Sequence, residues 1–127
     1  PPRKWLMSIN NTFYGDFVKS AYYIRSGEGR NSVDWCIPIA KAGKFEIYVY
    51  KGLNNIINRH SSSKQYYTII SNGVAKEVEL DFVKDSKDGW FFLDSVEVLD
   101  ELKIVLTDKG DKNKIIIADA IKLIRVN

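Results

Sequence analysis

Apolar and polar residues alternate along most of the chain, and few segments have the spacing of an amphipathic helix. Every second residue from 33 to 39 is apolar, and 45–49 repeats the pattern after the turn residues Ala42 and Gly43. Strict alternation places the apolar side chains on one face of a strand. We therefore predict two strands here, joined as a hairpin.

A second hairpin is predicted around Asn72 and Gly73, which separate the alternating segments 66–70 and 74–80. Both residues tolerate the positive φ angles of a type I′ turn, and Asn-Gly is the strongest short hairpin signal.

Further strands are predicted along the rest of the chain, at 21–25, 90–98, 102–106 and 115–126. The last of these has a kink or bulge near Ala118, Asp119 and Ala120, where the apolar run is interrupted. Seven to nine strands with frequent turns are typical of an antiparallel β-sandwich of jelly-roll type. We therefore predict an all-β fold.

Length and composition suit one domain over residues 1–127, because 127 residues with 45% hydrophobic content can bury a core. The abrupt beginning at Pro1 and Pro2 suggests a piece of a longer multidomain protein. No apolar run approaches the roughly 20 residues that span a bilayer, so no membrane span is predicted.

The charge distribution and the counts of metal-ligating residues argue against several kinds of function. The 19 basic and 16 acidic residues give a net charge of +3 and are spread along the chain, whereas nucleic-acid binding needs a clustered basic face. One cysteine, Cys36, and one histidine, His60, do not provide a zinc site. No pair of acids stands out as catalytic, so we predict no enzyme activity, no cofactor and no metal.

A calcium-binding loop at 108–113 remains the alternative to the prediction that no metal is bound. Its acidic spacing faintly resembles such a loop, but the lysines between the acids favour a solvated turn.

The seven tyrosines supply candidate sugar-binding residues, because flat aromatic faces can stack on the C–H side of a pyranose. Tyr48 and Tyr50 share the face opposite 45, 47 and 49, so they form an exposed ladder or cover a second layer. Tyrosine is also common in strands through β-propensity alone. The candidates are Trp5, Tyr14, Tyr22, Tyr23, Tyr48 and Tyr50.

Three residues are assigned structural roles. Trp35 lies on an apolar strand face, and Trp90 follows a turn glycine, so both are predicted to anchor the core. Asp119 is a carboxylate within an apolar strand, and it must be locked by hydrogen bonds, bind a ligand or lie at an edge. We favour locking by backbone N–H groups of a neighbouring loop.

The segment 43–126 resembles the golvesin C-terminal-like domain, a bacterial β-sandwich also attached to xanthan lyases and some FAD-dependent oxidoreductases. The resemblance rests on the strand 43–50, on 67–69 ahead of the Asn72-Gly73 turn, on Gly89-Trp90 followed by Leu93, and on 117–121. Asp94 stands where the family usually has glycine, and its usual glutamine is missing around Asp81 and Phe82.

The resemblance implies a non-catalytic accessory module of an extracellular, periplasmic or envelope protein and leaves its ligand open. We predict polysaccharide as the candidate ligand. A structural domain that packs against a neighbouring domain is the first alternative. A polysaccharide lyase or hydrolase is the second and is disfavoured.

Overall fold

A computed structural model describes residues 5–9, 20–52, 59–83 and 88–126, and these contain ten β-strands. The strands are β1 Leu6–Ile9, β2 Ser20–Arg25, β3 Ser32–Pro38, β4 Gly43–Tyr50, β5 Lys64–Ser71, β6 Val74–Asp81, β7 Trp90–Val98, β8 Glu101–Thr107, β9 Ile115–Ala118 and β10 Ile121–Arg125.

The strands pair antiparallel in three sheets with the orders β1-β2-β9, β10-β4-β7 and β3-β8-β5-β6. The two three-stranded sheets meet at Asp119 and Ala120, where the chain leaves its pairing with β2 and begins to pair with β4. The prediction of an all-β sandwich is confirmed. The described strands exceed the predicted seven to nine, partly because the predicted final strand divides into β9 and β10.

The main hydrophobic core of the described residues lies between the sheets, because alternate residues of the strands point inward, and a smaller cluster forms around Ile117. The largest fully buried members of the main core include Tyr67, Ile47, Leu102, Ile104 and Leu106. The sequences of β4, β5 and β8 alternate between buried and half-buried positions over most of their length. This period of two confirms the strand predictions for these segments.

The predicted β5–β6 hairpin is confirmed. Asn72 and Gly73 have φ angles of 54° and 77°, the left-handed values that a type I′ turn requires. The pairing runs without interruption from Ser71 opposite Val74 to Lys64 opposite Asp81.

The predicted hairpin between the segments 33–39 and 45–49 is wrong. β3 pairs with β8, whereas β4 lies between β10 and β7 in a different sheet. The connection after β3 is held instead by the Ile39 N–H, which donates to the Asp100 carbonyl at 2.8 Å. Alternation reveals which face of a strand is buried, but it does not identify the partner strand.

A β-bulge divides β7 into two halves. Tyr48 lies opposite Phe92 and Ile47 lies opposite Asp94, so Leu93 is the extra residue. Phe91 before the bulge and the bulge residue Leu93 are buried, whereas the buried residue beyond the bulge is Val98. The bulge therefore reverses which residues of β7 face the core.

Candidate functional site

Four aromatic side chains lie together on the outer face of the sheet β10-β4-β7. Tyr48 and Tyr50 come from β4, and Trp90 and Phe92 come from β7. Their neighbours along each strand point inward, since Val49 and Phe91 are buried in the core. We call these four residues, together with Lys122 of β10, the aromatic platform.

Strand register explains how the platform is assembled. Tyr48 is the cross-strand partner of Phe92, and Tyr50 is the partner of Trp90. The ring centroids are 5.7 Å and 5.0 Å apart respectively, with interplanar angles of 69° and 67°. Edge-to-face pairs of this kind are favourable for aromatic rings, so each pair holds its rings in a fixed orientation.

Lys122 adds a positive charge to the platform. It lies opposite Tyr48 in the β10–β4 ladder, and its Nζ is 4.4 Å from the ring centroid of Trp90 and 5.3 Å from that of Tyr48. Both distances are within cation–π range. The ammonium group is thus placed beside the ring faces.

The two tyrosine hydroxyls of the platform remain protonated at neutral pH. Tyr48 donates a hydrogen bond to Glu46 Oε1 at 3.0 Å, and this bond raises the pKa of Tyr48 above its usual value. Partial burial, and then the negative charge of Asp119, raise the pKa of Tyr50. Both hydroxyls are therefore neutral groups, and the Tyr48 proton is already donated to Glu46.

The structure separates the six sugar-binding candidates. Tyr48 and Tyr50 belong to the platform, whereas Tyr22 and Tyr23 lie on β2 in another sheet. Tyr22 is 49% exposed, and Tyr23 packs beside Ile115 and Ile117. Trp5 is half-buried against the core. Tyr14 lies outside the described residues.

Two predicted core anchors differ in position. Trp35 is half-buried and packs against the core, as expected of its alternating strand. The core position predicted for Trp90 needs correction, because Trp90 lies on the outer face while Phe91 and Leu93 fill the core. The local pattern did not carry this information, because Trp90, Phe91, Phe92 and Leu93 are all apolar and a period of two does not decide which pair faces the core.

Phe92 and Lys122 are not among the candidate site residues predicted from the sequence. Phe92 is 49% exposed. Both residues join the platform through pairing with β4, and the identity of a partner strand is the information that an alternating pattern lacks.

Asp119 lies half-buried between β9 and β10, at the point where the chain changes sheets. The next residue, Ala120, accepts a backbone hydrogen bond of 2.9 Å from Tyr50. The Asp119 carboxylate is near enough to Tyr50 to act on its pKa. Its locking role stays a prediction.

A different carboxylate, Asp108, is 1% exposed. Gly29 N donates to its Oδ1 at 2.7 Å, and Asn31 Nδ2 donates to its Oδ2 at 2.9 Å. Its backbone carbonyl accepts a bond from Gly27 N, and its N–H donates to Asn31 O. We call Gly27, Gly29, Asn31 and Asp108 the polar latch, since they tie the β2–β3 and β8–β9 loops together.

The predicted solvated turn holds for Lys109, Lys112 and Asn113, which are exposed, but it is wrong for Asp111 as well as for Asp108. Asp111 Oδ2 accepts hydrogen bonds from Ser63 N and Ser63 Oγ at 2.9 and 2.7 Å. These bonds lower the pKa of Asp111. Asp111 N donates to Ser62 Oγ at 2.9 Å, and Ser26 Oγ donates to Asp111 O at 2.6 Å. The loop therefore connects three segments that are distant in sequence.

Lys51 is a buried cation at the end of β4. It is 5% exposed, and its Nζ lies 4.5 Å from the ring centroid of Phe82. Burial lowers the pKa of Lys51 to about 8, although the negative charge of Asp111 opposes the shift.

Neither a metal site nor a membrane-spanning helix is found in the described ranges. Within 5–9, 20–52, 59–83 and 88–126, no three His, Cys, Asp or Glu side chains are grouped as metal ligands. The same ranges form no helix with the length and hydrophobicity that a bilayer crossing requires.

Comparisons with known proteins agree with this architecture. The family model described as Golvesin C-terminal domain matches residues 3–125. Among solved structures, CBM35 from Cellvibrio japonicus Abf62 superposes with a TM-score of 0.53 and 15% sequence identity, covering 98% of this chain and 89% of that one. At this identity the likeness shows the fold alone. No curated protein sequence matches the chain.

Proposed function

The chain belongs to the Golvesin C-terminal domain family, and we propose that it is a non-catalytic accessory module that binds polysaccharide through the aromatic platform. We further propose that it acts outside the cell or in the cell envelope, as one module of a longer protein. The structural neighbour is a CBM35, and a carbohydrate ligand is consistent with that likeness.

The platform is the observation that carries this proposal. Aromatic rings left on a sheet surface keep apolar area in water, and clusters of exposed apolar groups usually mark a binding surface. Phe92 remains 49% exposed although the core is close by. Rings fixed in cross-strand pairs can stack on the C–H face of a sugar with little loss of side-chain entropy.

Polar groups around the rings supply the other requirement of sugar binding. Lys122 Nζ is a hydrogen-bond donor at the edge of the apolar surface, and the Tyr48 hydroxyl, whose proton is donated to Glu46, still has a lone pair that can accept a hydrogen bond. This combination needs only contact and hydrogen bonding with the ligand, so no acid–base step is required. It follows that binding without bond cleavage is the expected activity.

A neighbouring domain is the second candidate occupant of the same surface. The platform face also carries Ile124, which is 41% exposed, and an apolar surface can equally serve a protein interface. A sugar ligand and a protein partner predict different results in the experiment below.

The test is a glycan array with the isolated chain, followed by affinity electrophoresis in gels containing xanthan, xylan or carboxymethylcellulose. Trp90→Ala is expected to weaken binding about tenfold or more, since loss of a buried aromatic contact costs about 2 kcal/mol. Tyr22→Ala is the matched control, because Tyr22 is an exposed aromatic residue on β2.

Absence of binding to every glycan would contradict the proposal and favour the neighbouring-domain alternative. Binding that Trp90→Ala leaves unchanged would show that the platform is the wrong surface. Circular dichroism of each variant separates lost binding from lost folding.

A further inference from the structure

A polar cleft lies on the opposite side of the sandwich from the platform, on the outer face of the sheet β3-β8-β5-β6. Its volume is about 260 Å³. Tyr66 and Thr68 of β5 and Thr107 of β8 lie on this face, since the residues beside them along each strand, Tyr67 and Leu106, are buried in the core. Glu28, Glu77 and Lys109 complete its charged lining.

The polar latch gives the cleft a fixed wall. Gly29, which lines the cleft, donates its N–H to the buried carboxylate of Asp108 at 2.7 Å. Its φ of 95° lies in the region that favours glycine. The loop therefore needs little ordering when a ligand binds, which lowers the entropic cost of association.

The Tyr66 ring, the aromatic group of the cleft, already has two partners within the protein. Lys109 Nζ lies 4.4 Å from the ring centroid of Tyr66, and the Tyr66 hydroxyl donates to Glu79 Oε1 at 2.9 Å. These contacts hold the ring and its hydroxyl in place. The groups left to meet a ligand are the Glu28 and Glu77 carboxylates, two threonine hydroxyls and the single Lys109 ammonium group, so negative charges outnumber positive ones in the lining.

The carboxylates are open to a new partner. Glu77 has no ion pair among the described residues, and Glu28 has only a long contact of 3.9 Å to Arg30, with both side chains more than four-fifths exposed. Such an exposed pair contributes little free energy. A second cavity of about 230 Å³ adjoins the cleft through Glu28 and includes Arg30 and Asn31.

We propose that this cleft is a second carbohydrate subsite, which takes one sugar ring bearing neighbouring hydroxyl groups or an amino group and rejects a ring bearing a carboxylate. Carboxylates accept short, charge-assisted hydrogen bonds from hydroxyl and ammonium donors, and like charge in the ligand is repelled. The cleft is slightly smaller than the ~300 Å³ lower limit of typical ligand pockets, which suits a single ring. The choice of a sugar rests on the proposed function.

Two subsites on opposite faces would let one module contact two polysaccharide segments. The platform offers rings and an ammonium group, whereas the cleft offers carboxylates and hydroxyls. Simultaneous occupation raises the effective concentration of the second contact. The module would then cross-link chains as well as bind them.

The test is a titration of the ¹⁵N-labelled chain with D-glucosamine, D-glucose and D-glucuronate, followed by amide chemical shifts. We expect Gly29, Thr68 and Thr107 to shift most with glucosamine, less with glucose and not with glucuronate. Glu77→Gln should weaken glucosamine binding about tenfold, because the neutral amide cannot accept the charge-assisted hydrogen bond that the carboxylate accepts. Glu101→Gln, an exposed glutamate on β8, is the matched control.

The outcomes separate this proposal from the platform proposal. If glucosamine leaves all three amides unmoved, if glucuronate moves them equally, or if the Glu101 variant behaves like the Glu77 variant, the second subsite is refuted. Trp90→Ala should leave the glucosamine shifts intact. Retained shifts in a chain that binds no polysaccharide would refute the platform role and preserve the cleft.

Discussion

The aromatic platform and the polar latch differ in how they depart from the usual distribution of residues. The platform places rings on the surface, with Phe92 49% exposed, whereas the latch places a carboxylate inside, with Asp108 1% exposed. Neither arrangement is needed to fill the core, which alternate strand residues already occupy. The exposed aromatic rings and the buried carboxylate therefore mark two regions whose roles differ from core packing.

The two tasks are physically distinct. In the latch, buried donors and acceptors satisfy one another between segments 79 residues apart, so their loss leaves polar groups unsatisfied. In the platform, exposed rings make contacts that a ligand can extend, so their loss removes binding area. Folding free energy and affinity at the platform should respond separately to changes in these two regions.

The largest expected effect comes from Asp108→Ala. The change leaves Gly29 N–H and the Asn31 amide without their carboxylate partner, and we expect the free energy of unfolding to fall by about 3 kcal/mol. Urea denaturation measures this loss. Asp100→Ala, at an exposed position, is the control and should change stability little. Equal stability of the two variants would remove the distinction between latch and surface.

A smaller effect of opposite sign is expected for Lys51→Met. Because the folded state lowers the pKa of Lys51 from 10.5 to about 8, the charged form is disfavoured in the fold, and this penalty is fully present below pH 8. Methionine keeps an apolar chain beside Phe82 without the charge. We expect a gain of about 2 kcal/mol at pH 7.

The pH dependence checks the cause of that gain. As pH rises from 8 to 10.5, the wild-type chain loses the penalty, so its stability should approach that of the Lys51 variant. Lys44→Met, an exposed lysine on the same strand, is the control. A stability difference that stays constant over this range would show that packing, and not charge burial, is responsible.

The smallest effect on stability is expected for Phe92→Ala. Its half-exposed ring contributes to a surface pair only, so the free energy of unfolding should change by less than about 1 kcal/mol. The same variant should lose polysaccharide affinity at the platform, whereas Asp108→Ala should retain binding at the platform at temperatures where it is folded. A destabilisation as large as that of Asp108→Ala would make the platform part of the fold.

Local pattern predicted much of the fold and less of the site. Alternation and the Asn72-Gly73 turn located β4 to β8 and the β5–β6 hairpin, because these features depend on neighbours in sequence. Strand partners depend on distant segments, and the wrong pairing of β3 with β4 shows the limit. The platform shares this dependence, since its rings meet only through the β4–β7 register.

The two aspartates illustrate the same limit for burial. Asp119 attracted attention because its sequence neighbours are apolar, and it is half-buried. Asp108 stands in a polar stretch that predicted a solvated turn, yet it is nearly inaccessible. Its partners Gly29 and Asn31 come from the β2–β3 loop, and no local hydropathy pattern contains that information.

The bulge at Leu93 has an evolutionary consequence. Because side chains in a strand alternate with a period of two, an unbroken strand that gained or lost one residue would exchange its two faces along its whole length. The bulge confines such a change to one position, because Phe92 and Asp94 on either side of Leu93 already lie opposite the adjacent residues Tyr48 and Ile47. Loss of Leu93 would therefore leave Phe92 on the outer face and Val98 in the core.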